Sequence, residues 1–317
     1  MNSGYEARPH GLMFHHFHDG VHPVGQGSIS GGQFADVIDF VGRDRILPAD
    51  EWMRRALARR LEPGDLCVTF DDNLRCQYDV AYPVMKALGI TAFWFAYTSV
   101  MQGNVEKLEI YRLFRSTRFA SVDDFYDAFF ETLATGDRQS EVSAALAAFD
   151  PTTYLAGFDF YTDSDRRFRY LRDDVLGPEK YQGVMDSMLA RHRFDVVQAA
   201  ERLWLDEGSV RQLRAEGHVI GLHSFSHPMQ MGSLSRDRQE QEYRANYDYL
   251  ATLLDEPVTS MSHPCNSYNR ETLEILRGLG VQLGFRANMA TSAAYGDYEH
   301  PREDHSNLLK LIQAPTP

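Results

Sequence analysis

Leu66-Cys67-Val68-Thr69-Phe70-Asp71-Asp72-Asn73 is the stretch on which the reading of this chain turns. It follows a turn at Pro63-Gly64-Asp65, runs for five residues without a charge, and ends in two adjacent carboxylates. A continuous apolar run, rather than an alternating one, marks a strand covered on both faces, as in a parallel sheet. In parallel α/β folds the loops at the carboxyl ends of the strands line the open face, so Asp71 and Asp72 stand where such folds place chemistry. The plainer alternative is an Asp pair capping the next helix. A second motif far along the chain decides against it.

Strand and helix signals alternate outward from this stretch. Tyr78–Leu88 has helical spacing and is closed by Gly89, and Ile90–Tyr97 reads as the next strand, which completes a βαβ signature. Upstream, Gly11-Leu12-Met13-Phe14-His15 is a short buried strand opening into a loop that carries His16, His18 and His22. Gln33–Val41 is helical, and Pro48-Ala49-Asp50 starts a further helix, with Asp50 as its expected N-cap and Trp52, Leu57 and Leu61 on its apolar side. Residues 103–204 change character to long helical stretches (Val122–Leu133, Glu141–Phe149, Pro178–Ala200), expected as a mostly helical insertion. The βα order then resumes with strands at His218–His223, Val258–Ser262 and Gln282–Arg286. Pro301–Leu308 is polar and reads as a loop.

The length of 317 residues suits one large barrel or two ordinary domains, and 43% hydrophobic residues suffice for a sizeable core. Lys and Arg total 32 against 45 Asp and Glu, a net charge of −13, which argues against nucleic acid as a partner. Cys67, Cys76 and Cys265 are odd in number and widely spaced, and read as reduced thiols. The polar residues 1–10 hold no apolar leader segment, and the most apolar window, Ile90–Val100, is far shorter than the ~20 residues of a membrane span. The expectation is a cytoplasmic protein without a membrane span.

The second motif is His223-Ser224-Phe225-Ser226-His227-Pro228, directly after a strand. Two histidines four apart and one of the two carboxylates can hold a divalent cation with coordination positions left open, the arrangement of a catalytic rather than a structural metal. The other carboxylate is then free to deprotonate water. An isolated H-x-x-x-H is usually a pair of surface histidines; after a strand and before Pro, with the carboxylate pair upstream, that reading loses.

Thr69-Phe70-Asp71-Asp72-Asn73 resembles the TFDDG motif of the NodB-type polysaccharide deacetylases, and His223–Pro228 resembles their H-[S/T]-x-x-H-P motif. The lead-in Arg214–Leu222 is similar too, and the resemblance covers roughly residues 11–102 and 205–310. It implies a distorted (β/α) barrel of the polysaccharide deacetylase type, a single domain over 1–317 with the 103–204 insertion inside it. It further implies that Asp71 is the catalytic base and that Asp72, His223 and His227 hold the metal, with Zn2+ favoured and Ni2+, Co2+ or Mn2+ as alternatives. Asn73 departs from the family's Gly, though Asn also tolerates positive φ.

Ser262-His263-Pro264-Cys265-Asn266-Ser267-Tyr268 resembles the family's third motif, in which the residue after Pro offers a backbone N–H to the oxyanion; here that is Cys265. Nothing beside Cys265 suggests a paired base that would make it a nucleophile. Where many relatives carry an Arg that pairs with the base, this chain has Ser262, which leaves the base's partner open, with Arg286 and Arg302 as candidates. The family's C-terminal leucine–histidine motif is missing. Some relatives draw the general acid from an opening Tyr-His, with which His15 aligns; His305 and His18 are the alternatives. The activity implied is removal of an N-acyl group, foremost N-acetyl, from an amino sugar or sugar conjugate. Hydrolysis of a cyclic amide or ureide on the same fold and an inactive metal-binding scaffold are the rivals, and an intact Asp71 speaks against the scaffold.

Overall fold

The structure is a computed structural model that describes residues 8–155, 162–290 and 296–314. The chain forms two compact units, one of residues 1–106 with 202–317 and one of residues 107–201. The first begins with β1 (His10–Phe14), α1 (Gly31–Val41), α2 (Ala49–Leu57), β2 (Leu66–Phe70), α3 (Tyr82–Leu88) and β3 (Ala92–Ala96). The second is helical: α4 (Lys107–Arg118), α5 (Val122–Thr135), α6 (Gln139–Ala147), α7 (Asp163–Tyr170), α8 (Gly177–Arg191) and α9 (Val196–Leu203), whose residues from Arg202 on belong to the first unit. The first unit then continues with α10 (Glu207–Ala215), β4 (Val219–Leu222), α11 (Arg236–Leu254), β5 (Ser260–Ser262), α12 (Arg270–Gly278), β6 (Leu283–Phe285), β7 (Arg302–Asp304) and α13 (His305–Gln313).

All seven strands are parallel and lie in the order β6-β5-β4-β3-β2-β1-β7. A parallel bridge from Phe285 to His300, just ahead of β7, joins the two ends. The result is a nearly closed (β/α)7 barrel ringed by helices, the fold expected from the motifs. Period-two alternation sorts its core into two sets. Leu12, Phe14, Val68, Phe70, Ala92 and Trp94 pack with Val37 and Ile38 of α1, Met85 of α3 and Leu250 of α11. The intervening Cys67, Phe93, Phe95 and Phe285 form a separate cluster with Trp52 of α2. Gly221 belongs to this second layer by parity, and a Cβ there would stand 2.5 Å from the Phe95 ring, so no larger residue fits. Among the described residues no helix is long and apolar enough to cross a membrane.

Three local expectations are corrected. Asp50 is not the N-cap of α2: Pro48 takes that position without a side-chain bond, Asp50 sits in the first turn where its charge suits the helix dipole, and Leu57 is exposed. Pro178–Ala200 is two helices, α8 and α9, broken at residues 192–195. The polar segment Pro301–Leu308 is no loop; it forms β7 and the start of α13. A three-residue strand reading Arg-Glu-Asp has no apolar period to reveal it, because its place is set by pairing with β1 (Gly11 with Arg302, Met13 with Asp304).

Candidate active site

The strand ends bring the two sequence motifs together. In the β1–β2 register Phe14 faces Phe70, so His15 and Asp71 leave the sheet side by side, and Asp71 N–H still donates to Phe14 O at 3.3 Å. His223 follows β4, Ser262 ends β5 and Arg302 opens β7.

Asp71 is buried and gripped by Arg302, which is fully buried: Nη1 donates to Oδ1 and Nη2 to Oδ2, both at 2.7 Å. The remaining guanidinium donors are also placed, Nε on Arg286 O (2.7 Å), Nη1 on Thr69 Oγ1 (3.3 Å) and Nη2 on Ser262 Oγ (2.7 Å). All five N–H groups of the fork therefore have acceptors, and the cation lies over the Phe95 and Phe285 rings. Gly11 makes room for it, since a Cβ there would meet Arg302 Cγ at 3.1 Å. The Ser262 hydroxyl completes the grip by donating to Asp71 Oδ2 at 3.2 Å. Of the two arginines left open by the sequence, Arg302 is thus the partner; Arg286 instead bonds Asn288 Oδ1 and Ala290 O. Burial alone would raise the Asp71 pKa, but the Arg302 charge overrides it and draws the carboxyl down to about 2. An ordinary Asp titrates at 3.8. Ionised Asp71 therefore stabilises the fold fully above that pH, and the contribution is lost as pH falls through about 2. Urea titrations from neutral pH down to about pH 2 should show this loss in the parent chain and a flatter acid limb in Asp71→Asn.

Asp72, His223 and His227 converge within 4.8 Å of one another. Asp72 Oδ1 is buried without a hydrogen bond, yet His223 Nε2 and His227 Nε2 stand 3.3 and 3.2 Å from it. Ligands at zinc bond lengths around a tetrahedral ion are separated by about 3.3 Å, so these distances are compatible with three donors sharing one ion. Nδ1 of His223 lies 2.9 Å from Ser262 O, which fixes the proton on that nitrogen and leaves the Nε2 lone pair free for a cation. Burial works against ionisation of Asp72, but His227 and His223 hold its carboxyl well below the usual range. The donor set fits a divalent cation.

α11 shapes the loop between the two histidines. Glu242, buried, accepts from Ser226 N–H and Ser226 Oγ, both at 2.8 Å. Asn246, one turn on, accepts from His223 N–H at 3.0 Å and donates to Ala96 O at 2.9 Å. Ser224 Oγ accepts from His227 N–H at 3.1 Å. These bonds hold a backbone that is left-handed at Ser224 (φ 64°) and His227 (φ 55°). Asp72 (76°), Asn73 (43°), Cys265 (49°) and Asn266 (56°) share this conformation. Of the ten such non-glycine residues among those described, six lie in the three motif loops. Each stores roughly 1–2 kcal/mol, a pattern that clusters at functional sites.

His15 Nε2 lies 3.8 Å from Asp71 Oδ2, with the side chain 28% exposed. Crowding by the surrounding protein lowers its pKa below 6.5, against the opposing pull of Asp72 and Asp71. His305 is engaged elsewhere: its ring stacks on Phe14, Nε2 lies 3.0 Å from Gly27 O and Nδ1 3.3 Å from Met13 O. His18 Nδ1 lies 3.0 Å from Ser28 Oγ. Cys265 sits on an exposed turn closed by Asn266 N–H to His263 O and Ser267 N–H to Pro264 O, which leave the Cys265 N–H out. Crowding by protein and the Asp72 and Asp71 carboxylates push its thiol up to about 12, so it stays protonated. His263 is buried against Tyr268, and desolvation takes its pKa to about 3.

Glu242 and Asn246 were not read from the sequence. The available signal was polar: Gln239, Glu242 and Asn246 recur at helical spacing on a face that also carries Tyr243, Leu250 and Leu253, and all six are buried.

Residues 178–284 match the profile of the Polysaccharide deacetylase family. The match contains His223–Pro228 and Ser262–Tyr268, begins inside the helical stretch and does not reach Asp71. Three solved structures share the fold. The Streptococcus pyogenes deacetylase PplD, in complex with acetate, is 17% identical with a TM-score of 0.57 over 98% of this chain and 100% of that one. IcaB from Ammonifex degensii is 16% identical with a TM-score of 0.52 over 94% and 91%. The BpsB deacetylase domain from Bordetella bronchiseptica is 11% identical with a TM-score of 0.51 over 93% and 94%. No curated protein sequence matches the chain. The resemblance to the polysaccharide deacetylases read from the motifs is borne out.

Proposed function

We propose that this chain is a metal-dependent hydrolase that removes an N-acetyl group from an amino sugar or a conjugate of one. The observation that carries the reading is the division of labour between two adjacent carboxylates. Asp71 is clamped by a buried arginine, whereas Asp72 Oδ1 faces the Nε2 atoms of both His223 and His227. Asp72, His223 and His227 would hold the cation, with Zn2+ the first choice for an Asp-His-His set. Bound there, the ion would act as a Lewis acid on the acyl carbonyl and make water a competent nucleophile at neutral pH.

The chain's own groups supply the rest. Asp71, ionised well below neutrality, accepts the proton of the attacking water. The Cys265 N–H, on its turn beside the metal residues, is the backbone donor for the developing oxyanion. His15, on the neighbouring strand end, delivers a proton to the departing amine. The acetate bound to the Streptococcus pyogenes deacetylase is the other product such a reaction would release. The test is mass spectrometry of the metal-loaded protein incubated with N-acetylglucosamine oligomers, N-acetylated sugar nucleotides, and cyclic ureides and imides. A loss of one acetyl group on the sugars supports the reading, and ring opening of the cyclic amides alone overturns it.

The general acid has its own test. His15→Ala is expected to cut kcat by about 10²–10⁴-fold with the metal retained, and to remove the alkaline limb of the pH–rate profile, which reports loss of the acid's proton. His305→Ala should act mainly on stability, because both its ring nitrogens already face carbonyls. A crippling His305→Ala beside a mild His15→Ala would reverse the assignment.

A further inference from the structure

We infer that Gln77 is the positioning residue that sets the spacing between Asp71 and His15; this rests on the reading of those two as base and acid. Gln77 is fully buried, six residues past the carboxylate pair's first member. Its Nε2 donates to the main-chain carbonyl of Asp71 at 2.6 Å and to that of His15 at 2.8 Å, and its Oε1 accepts from Leu74 N–H at 3.2 Å. Only this orientation of the amide works, since the flipped one would set its oxygen against two carbonyls and its NH2 against an N–H.

The bonds stand where the sheet can no longer supply them. The β1–β2 ladder ends at Phe14 and Phe70, and past that register Asp71 keeps a single bond to β1, from its N–H to Phe14 O. One amide then holds the next carbonyl on each strand. It ties the backbones of the two residues whose side chains lie 3.8 Å apart at the reacting end. Gln77 opens the π-helical turn Gln77–Ala81, an irregularity that recurs at functional sites. Its side-chain hydrogen bonds go to Leu74, His15 and Asp71 and to none of the side chains of Asp72, His223 or His227.

The test compares Gln77→Met and Gln77→Glu with Asp71→Asn and His15→Ala, using an N-acetylglucosamine oligomer as substrate and acetate release as readout. Gln77→Met keeps the chain length and removes every hydrogen bond; Gln77→Glu keeps the shape and turns an acceptor towards both carbonyls. Both are expected to retain the parent's metal content and KM while kcat falls by about 100-fold, the effect of an approximately 1 Å misplacement at a reacting centre. Crystal structures of the variants should show the His15 Nε2 to Asp71 Oδ2 separation changed from 3.8 Å. If either folded variant keeps the parent's kcat, or the separation is unchanged, Gln77 merely satisfies buried carbonyls and the inference is overturned. Should Asp71→Asn leave the rate untouched, the assignment of the base fails instead, and the crystallographic separation still decides the part played by Gln77.

Discussion

Asp71→Asn is expected to lower kcat by about 10²–10⁴-fold while the metal content stays at the parental level. The amide has nearly the shape of the carboxylate but cannot take up the proton of water, and the metal residues begin one position further on. The variant also leaves the Arg302 cation without a counter-charge in a site where both groups are buried. Breaking one half of a buried pair typically destabilises by about 3–5 kcal/mol. Rates must therefore be taken well below the variant's own melting midpoint, so that a lost base is not confused with lost fold. Acetate release at near-parental rate from a folded, metal-loaded variant would place the base elsewhere.

Asp72→Ala and His223→Ala should each remove metal and activity together. Three protein ligands are the minimum of a catalytic site, and two cannot hold the ion against water and chelators. Asp72 also brings the only negative charge among the three, so its loss should weaken the affinity even where both imidazoles remain. Elemental analysis after dialysis against a mild chelator checks this, and full occupancy in both variants would mean that the ion is held by other groups.

The candidate metal triad was legible because its residues announce themselves locally. A carboxylate pair after an apolar run and an H-x-x-x-H-P after another are patterns that a strand-end placement explains without any long-range information. The βα order was legible for the same reason, as an alternation of continuous apolar runs with helical periods. What could not be read was set by pairing between distant segments. Arg302 lies in a strand of three residues with no apolar period, and only its alignment with Gly11 turns a polar segment into the seat of the arginine that clamps Asp71. Choosing between Arg286 and Arg302 needed the same alignment, since either lies near a strand end. Gln77, Glu242 and Asn246 are ordinary polar residues on helical stretches; their importance lies in the main-chain groups they meet, which no side-chain pattern records. Pro178–Ala200 failed differently, as two helices of compatible period were merged across a short break.

The position of Arg302 also ties the chemistry to the timing of synthesis. β1 at residues 10–14 and β7 at residues 302–304 are neighbours at the barrel seam, so the guanidinium arrives with the last of the seven strands to be translated. A nascent chain holding the first six strands already carries Asp71, Asp72, His223 and His227. Without Arg302 the Asp71 carboxylate lacks the two charge-assisted bonds that fix its orientation. On the reading proposed above, the clamp on Asp71 forms only when β7 closes the seam, so the site is completed after its other residues are in place.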